Sequence, residues 1–342
     1  MTFDFWLLTN IFMRVDILNM PLSSQLAFVF PGQGSQSLGM LAELGSEYAI
    51  VKATFDEASA GAGVDLWALS QSGPEDLLNR TDNTQPALLA AGVAVWRTWQ
   101  ELGGPQPAQL SGHSLGEYTA LVCAGALSLR EAAAIVAERG RLMQAAVPQG
   151  VGAMAAILGG DDAQIAQVCA DVAQGQVVAP ANFNAPGQLV IAGNSEAVDR
   201  ALARLAELGV RKAVKLAVSV PSHCALMRDA ADKLAARLET ASWSLPQIPV
   251  IQNVEAKSYD TVEQIRHALA QQLYLPVQWT ACVHALAGRG ITRAAECGPG
   301  KVLVGLIKRI ERAIDGRAIG GPADLLQALA DWSQPVRARE TQ

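Results

Sequence analysis

Gly112-His113-Ser114-Leu115-Gly116 is a G-x-S-x-G pentapeptide set between a short apolar segment, Ala108-Gln109-Leu110, and a run from Glu117 to Ala124 that reads as a buried helix. Strand, pentapeptide and helix together make a nucleophile elbow. Its two glycines let the chain turn tightly enough to strain the serine backbone and lift the hydroxyl clear of the sheet. The Leu115 amide, in the first turn of the helix, would then point at the oxyanion of a tetrahedral intermediate. A Gly/Ser loop that merely caps a helix has the same residue types, so the rest of the chain must decide between the two.

A serine nucleophile near neutral pH needs a base, and imidazole is the usual one. The chain has four histidines. His113 adjoins the serine inside the elbow, where neighbouring side chains diverge, and His267 and His284 fall inside predicted helices at 261–273 and 278–287. His223 alone lies in a loop, Ser219-Val220-Pro221-Ser222-His223-Cys224, and is the base by elimination. No acidic residue stands out as a third member, so a carbonyl or amide is expected to orient the ring.

A second oxyanion amide should come from another loop at a strand end. The strand Leu26–Phe30 runs into Pro31-Gly32-Gln33-Gly34-Ser35-Gln36-Ser37, which supplies exposed backbone amides. Ser37 stands where a dinucleotide fingerprint needs its third glycine, no acidic residue ends a second strand about 20 residues on, and no Gly-Lys-Ser/Thr follows. A nucleotide-binding module is therefore disfavoured.

Ser128-Leu129-Arg130-Glu131 is a capping box opening a helix in which Ala132, Ile135, Val136, Arg139, Leu142 and Met143 share one face. Arg139 thus lies within the apolar stripe, whereas Arg141 lies off it, placed to pair with Glu138. A buried guanidinium needs an anion. Either a distant Asp or Glu supplies it, or a substrate carboxylate does, held bidentately as arginine geometry suits. That feature also disfavours a plain esterase or thioesterase.

The elements that must position these groups follow from the pattern of the chain. Half of its 342 residues are hydrophobic and 17% are charged, which predicts a large buried core. A net charge of −6 argues against nucleic-acid binding. Five cysteines stand singly, without disulfide or metal spacing, which fits a cytoplasmic setting with no metal and no membrane partner. Residues 1–22 are an upstream extension or a peripheral tail, and 321–342 a C-terminal tail of low signal. Residues 149–219 alternate as βαββαβ, the ferredoxin-like split motif. That predicts an α/β, hydrolase-like parallel-sheet core, discontinuous over 23–148 and 220–320, with a ferredoxin-like small domain inserted and a cleft at the junction above the elbow. Strands at 249–254 and 291–297 continue the core, and Thr84-Gln85-Pro86 opens an apolar helix.

Phe30-Pro31-Gly32-Gln33-Gly34-Ser35-Gln36, Thr84-Gln85-Pro86-Ala87, Gly112-His113-Ser114-Leu115-Gly116-Glu117, Glu138-Arg139-Gly140, Asn182-Phe183-Asn184, Ser219-Val220-Pro221-Ser222-His223 and Gly298-Pro299-Gly300-Lys301 occur in that order. Over roughly residues 25–315, this set resembles the malonyl-CoA:acyl-carrier-protein transacylases of bacterial type II fatty acid synthesis. The resemblance implies that Ser114 is the nucleophile, His223 the general base and Arg139 the grip on the malonyl carboxylate. It also implies that the amides of Gln33 and Leu115 form the oxyanion hole and that the backbone carbonyl of Gln272 orients His223. Asn182 and Asn184 would lie near the cleft. The implied partners are malonyl-CoA and acyl carrier protein. No cofactor is implied, because phosphopantetheine belongs to the carrier, and a monomer is expected. An extender-unit acyltransferase of polyketide synthesis is the alternative within the family. The N-terminal extension is the main departure from the pattern.

Overall fold

Five consecutive residues of the first strand, Leu26 to Phe30, are fully buried. A strand with no solvent-facing residue has to be covered on both sides, as in parallel sheets flanked by helices. The computed structural model describes residues 22–210, 212–216 and 220–333. In chain order it contains β1 (Leu22–Phe30), helices α1 to α4 (Ala42–Glu47, Ala49–Ala62, Leu66–Ser72, Glu75–Leu78), α5 (Thr81–Glu101), β2 (Gln106–Gly112), α6 (Gly116–Cys123) and α7 (Leu129–Ala146). Then come β3 (Gly152–Leu158), α8 (Asp162–Val172), β4 (Val178–Ala185), β5 (Gln188–Asn194), α9 (Ser195–Glu207) and β6 (Lys212–Lys215). The last part holds α10 (Arg228–Glu239), β7 (Val250–Ile251), α11 (Val262–Gln271), α12 (Trp279–Gly288), β8 (Arg293–Glu296), α13 (Val302–Ile310), β9 (Asp315–Ala318) and α14 (Pro322–Trp332).

Five strands form a parallel sheet in the order β7-β2-β1-β8-β9. The period of two along β1 sorts its side chains between two cores. Leu26, Phe28 and Phe30 pack with the helices of one face, among them α5, α6 and α7, and Ala27 and Val29 pack with α12 and α13 on the other. Phe30 and Gly112 are partners in register, so the loops after β1 and β2 leave the same edge of the sheet side by side. Carboxyl ends of parallel strands are where α/β folds place their ligands.

The second sheet is antiparallel in the order β4-β5-β3-β6, the arrangement expected of a βαββαβ unit, with its own apolar core against α8 and α9. It is tied to the large sheet through β4: Phe183 N–H donates to Val277 O at 2.9 Å, and Thr280 Oγ1 donates to Phe183 O at 3.1 Å.

Several expectations need correcting. The helix expected to open at Thr84 begins at Thr81, with Pro86 inside it. Glu138 pairs with Arg237 at 3.3 Å, across to α10, rather than with Arg141. The strand expected at 249–254 is only Val250–Ile251, because Gln252 and Asn253 turn away into buried side-chain bonds. The expected C-terminal tail contains a packed helix: α14 starts with a proline in its first turn and buries Leu325, Ala328, Leu329 and Trp332. Residues 1–21 and 334–342, and Ser219 of the histidine loop, lie outside the described residues. All five cysteines are buried and free. Among the described residues no helix is long and apolar enough to cross a membrane.

Candidate active site

The pentapeptide forms the turn between β2 and α6. Ser114 has φ 51°, the left-handed region that a side chain adopts only under constraint. Close packing makes the flanking glycines obligatory. A Cβ on Gly112 would lie 1.9 Å from the backbone carbon of Gly116, and one on Gly116 would lie 2.0 Å from Phe30 O. The turn is clamped from behind by Asn253, whose Oδ1 accepts from Ser114 N–H at 2.8 Å and whose Nδ2 donates to Gly112 O at 2.7 Å.

His223 also sits at positive φ, 62°, in the loop leading into α10. Its backbone N–H donates to Leu273 O at 2.9 Å, and its ring spans from Gln272 O, 2.6 Å from Nδ1, to Ser114 Oγ, 2.9 Å from Nε2. A carbonyl oxygen only accepts, so Nδ1 carries the proton and Nε2 is left as the acceptor for the serine hydroxyl. Burial and the nearby Arg139 charge pull the His223 pKa down to about 3, so the ring is neutral, the form a base requires.

Arg139 is 1% exposed. Its Nη1 donates to Gln85 Oε1 at 2.6 Å, and its Nη2 to Gln272 Oε1 at 2.9 Å and to Ser114 Oγ at 3.2 Å. The guanidinium also lies over the Tyr118 ring, 5.6 Å from its centroid. Among the described residues its neighbours are neutral oxygens, and Arg139 forms no salt bridge. Its Nε is buried without a hydrogen-bond partner among the described residues. Burial therefore lowers its pKa, and donor capacity remains for an incoming anion.

These three residues meet at a cavity of about 280 Å³ between the two sheets. Gln33, Leu115, Asn182 and Asn184 line it as well. Gln33 comes from the loop after β1 and Leu115 from the start of α6, so both strand-end loops reach the serine. His113 turns away from Ser114, and its Nε2 meets Asn184 Oδ1 at 2.8 Å. Gln272 does more than offer its carbonyl. Its side-chain Nε2 donates to Ser114 O at 3.1 Å, Glu117 Oε2 at 3.0 Å and Asn253 Oδ1 at 3.2 Å.

Three buried residues at the site escaped the sequence reading: Gln85, Glu117 and Asn253. Glu117 carried a signal, a carboxylate opening an apolar helix directly after the elbow. Gln85 stood in one of the seven motifs without a role, and Asn253 gave no signal, since a polar residue at a strand end is ordinary.

Residues 27–312 match the acyl transferase domain family. The malonyl CoA-acyl carrier protein transacylase of Salmonella typhimurium is 56% identical over 306 residues, covering 90% of this chain and 99% of that protein. The Bacillus subtilis protein of the same name is 42% identical over 307 residues, covering 90% and 96%. Among solved structures, the malonyl-CoA:acyl carrier protein transacylase of Xanthomonas oryzae pv. oryzae gives a TM-score of 0.90 at 66% identity, covering 91% of this chain and 99% of that one. A malonyl-transacylase in complex with a type II PKS acyl-carrier protein gives 0.89 at 54% identity, covering 90% and 99%. With almost the whole length of such proteins matched, this chain belongs to the malonyl-CoA:acyl carrier protein transacylase family of acyl transferases.

Proposed function

We propose that this enzyme moves the malonyl group from malonyl-CoA to the phosphopantetheine thiol of acyl carrier protein by way of a malonyl ester on Ser114, supplying fatty acid elongation in the cytoplasm. One observation carries the reading: a single serine oxygen lies 2.9 Å from a neutral imidazole nitrogen and 3.2 Å from a buried guanidinium that has no carboxylate partner. An activated nucleophile beside a cation with no direct salt bridge among the described residues fits an acyl group that itself ends in a carboxylate.

In the first half-reaction His223 Nε2 takes the Ser114 proton as Oγ bonds to the thioester carbonyl carbon. The amides of Gln33 and Leu115 receive the oxyanion. The C–S bond then breaks and the coenzyme A sulfur leaves with the proton from His223. In the second, the carrier thiol gives its proton to His223, its sulfur attacks the ester carbonyl, and Ser114 Oγ leaves and regains a proton. Arg139 holds the malonyl carboxylate throughout, and the discontinuous large domain and inserted small domain close the cleft from either side, with Asn182 and Asn184 on its wall.

The test compares malonyl transfer to holo carrier protein with release of free malonate. The expected result is transfer in large excess. Hydrolysis equal to transfer would make the enzyme a thioesterase, and equal rates with methylmalonyl-CoA would make it an extender-unit acyltransferase.

A further inference from the structure

Glu117 is fully buried in the first turn of α6, and no step above uses it. Its Oε1 accepts from Gln252 Nε2 at 2.6 Å, and its Oε2 accepts from Asn253 N–H at 2.7 Å and from Gln272 Nε2 at 3.0 Å. Two of these donors cannot be reversed. The Asn253 donor is backbone. The Gln272 amide is fixed because its oxygen faces Arg139, which has no acceptor to offer. Oε2 therefore has no room for a proton, so a protonated Glu117 would have to carry it on Oε1 and turn the Gln252 amide over. Through Asn253 the network reaches the backbone of Ser114 and Gly112, and through Gln272 it reaches Arg139 and the segment that orients His223. The amide of Gln272 thus stands between the Arg139 cation and the Glu117 anion, accepting from the cation and donating to the anion.

We propose that Glu117 is a positioning residue: its carboxylate is the countercharge of Arg139 at one amide's remove, and it holds Gln272 and Asn253 in the orientation that aligns Ser114, His223 and Arg139. Leaving Arg139 without a direct carboxylate keeps its donors open to the substrate, while the indirect one keeps a buried cation tolerable. This rests on the roles given above to those three residues.

The ionisable groups facing Glu117 are Arg139 on α7, Tyr118 on α6, Cys282 on α12 and Tyr259 before α11. Burial holds the two phenols and the thiol well above their ordinary values, so they stay neutral while Glu117 titrates. Burial also pushes Glu117 up to about 7, opposed by its three donors and Arg139.

The test is the pH profile of kcat/KM for malonyl-CoA in the full-length enzyme and in Glu117→Gln, Glu117→Asp and Glu117→Ala, normalised to Ser114 titrated with a fluorophosphonate probe. The native enzyme should lose activity as pH falls through about 7, a limb that His223, titrating near 3, cannot produce. Glu117→Gln keeps an acceptor but no charge and should lack that limb. Glu117→Ala should lower kcat by about 10²-fold, the scale of a misplaced catalytic group, and Glu117→Asp should recover part of the loss. The proposal is overturned by a native profile flat through pH 7, by an unchanged limb in Glu117→Gln, or by folded Glu117→Ala within about threefold of native kcat. If the alanine variant does not fold, the other profiles decide. A native enzyme that forms no malonyl-Ser114 would instead remove the functional reading beneath this proposal.

Discussion

The proposed substrate rests on Arg139. Its burial among neutral oxygens raises the energy of an empty site and rewards an anionic acyl group. Arg139→Ala should lower kcat/KM for malonyl-CoA by about 10²-fold, the worth of charge-assisted hydrogen bonds, while acetyl-CoA changes less than about tenfold. Equal impairment of both substrates, measured side by side, would remove the carboxylate role. His223 links function to stability. Its folded pKa, about 3, lies below the ordinary 6.5, so the unfolded chain binds the proton first as pH falls. The stability from neutral His223 is full above pH 6.5 and is lost as pH drops from there towards 3. Glu117, held above its ordinary 4.5 at about 7, acts in the opposite sense: its contribution declines as pH rises across that window. Urea midpoints of native enzyme and His223→Asn, compared across pH, should therefore show a difference that shrinks below about pH 6.5. Arg139 was legible because a charge inside an apolar helical stripe breaks a periodic pattern. Asn253 was not, because only the tertiary turn after β7 brings it behind the elbow.

The elbow is the element on which the site depends, and its backbone carries the strain. Ser114 at φ 51° pays a conformational cost that only glycine escapes. Ser114→Ala removes the proposed nucleophile and keeps the strain, whereas Ser114→Gly removes both. The glycine variant should be the more stable of the two inactive proteins by about 1 kcal/mol, read from denaturant midpoints. A glycine variant less stable than the alanine one would mean the turn is unstrained. The pentapeptide was visible from five residues because the contact of Gly112 with Gly116 is local, whereas the demand of Phe30 on Gly116 comes from a distant strand. The capping box at Ser128 was local too, and its side chain accepts from Glu131 N–H. The strand at 249–254 was over-extended because the side-chain bonds that redirect Gln252 and Asn253 involve partners 135 and 136 residues away.

At the scale of the molecule, a parallel sheet and an inserted antiparallel one meet over the carboxyl ends of β1 and β2. The insert was legible as a complete βαββαβ unit, and the structure supplies its sheet order. The far end of the chain was misread. Low charge contrast hid α14, although Leu325, Ala328, Leu329 and Trp332 fall at helical spacing. Trp332 is 4% exposed, meets Trp99 edge-on at 6.3 Å and lies under Arg317, 5.1 Å from the ring centroid. Trp332→Ala should cost about 3–5 kcal/mol of stability yet leave kcat within about twofold at temperatures where the protein is folded, since Trp332 does not line the cavity. A thermal melt unchanged by the substitution would return this segment to a peripheral tail.

Both proposed half-reactions run through a covalent ester at one serine. Mixing the enzyme with malonyl-CoA, quenching in acid and mapping peptides by mass spectrometry should place one malonyl group on Ser114, discharged by holo carrier protein and absent from Ser114→Ala. A malonyl group on another residue, or transfer at native rate in Ser114→Ala, would contradict it.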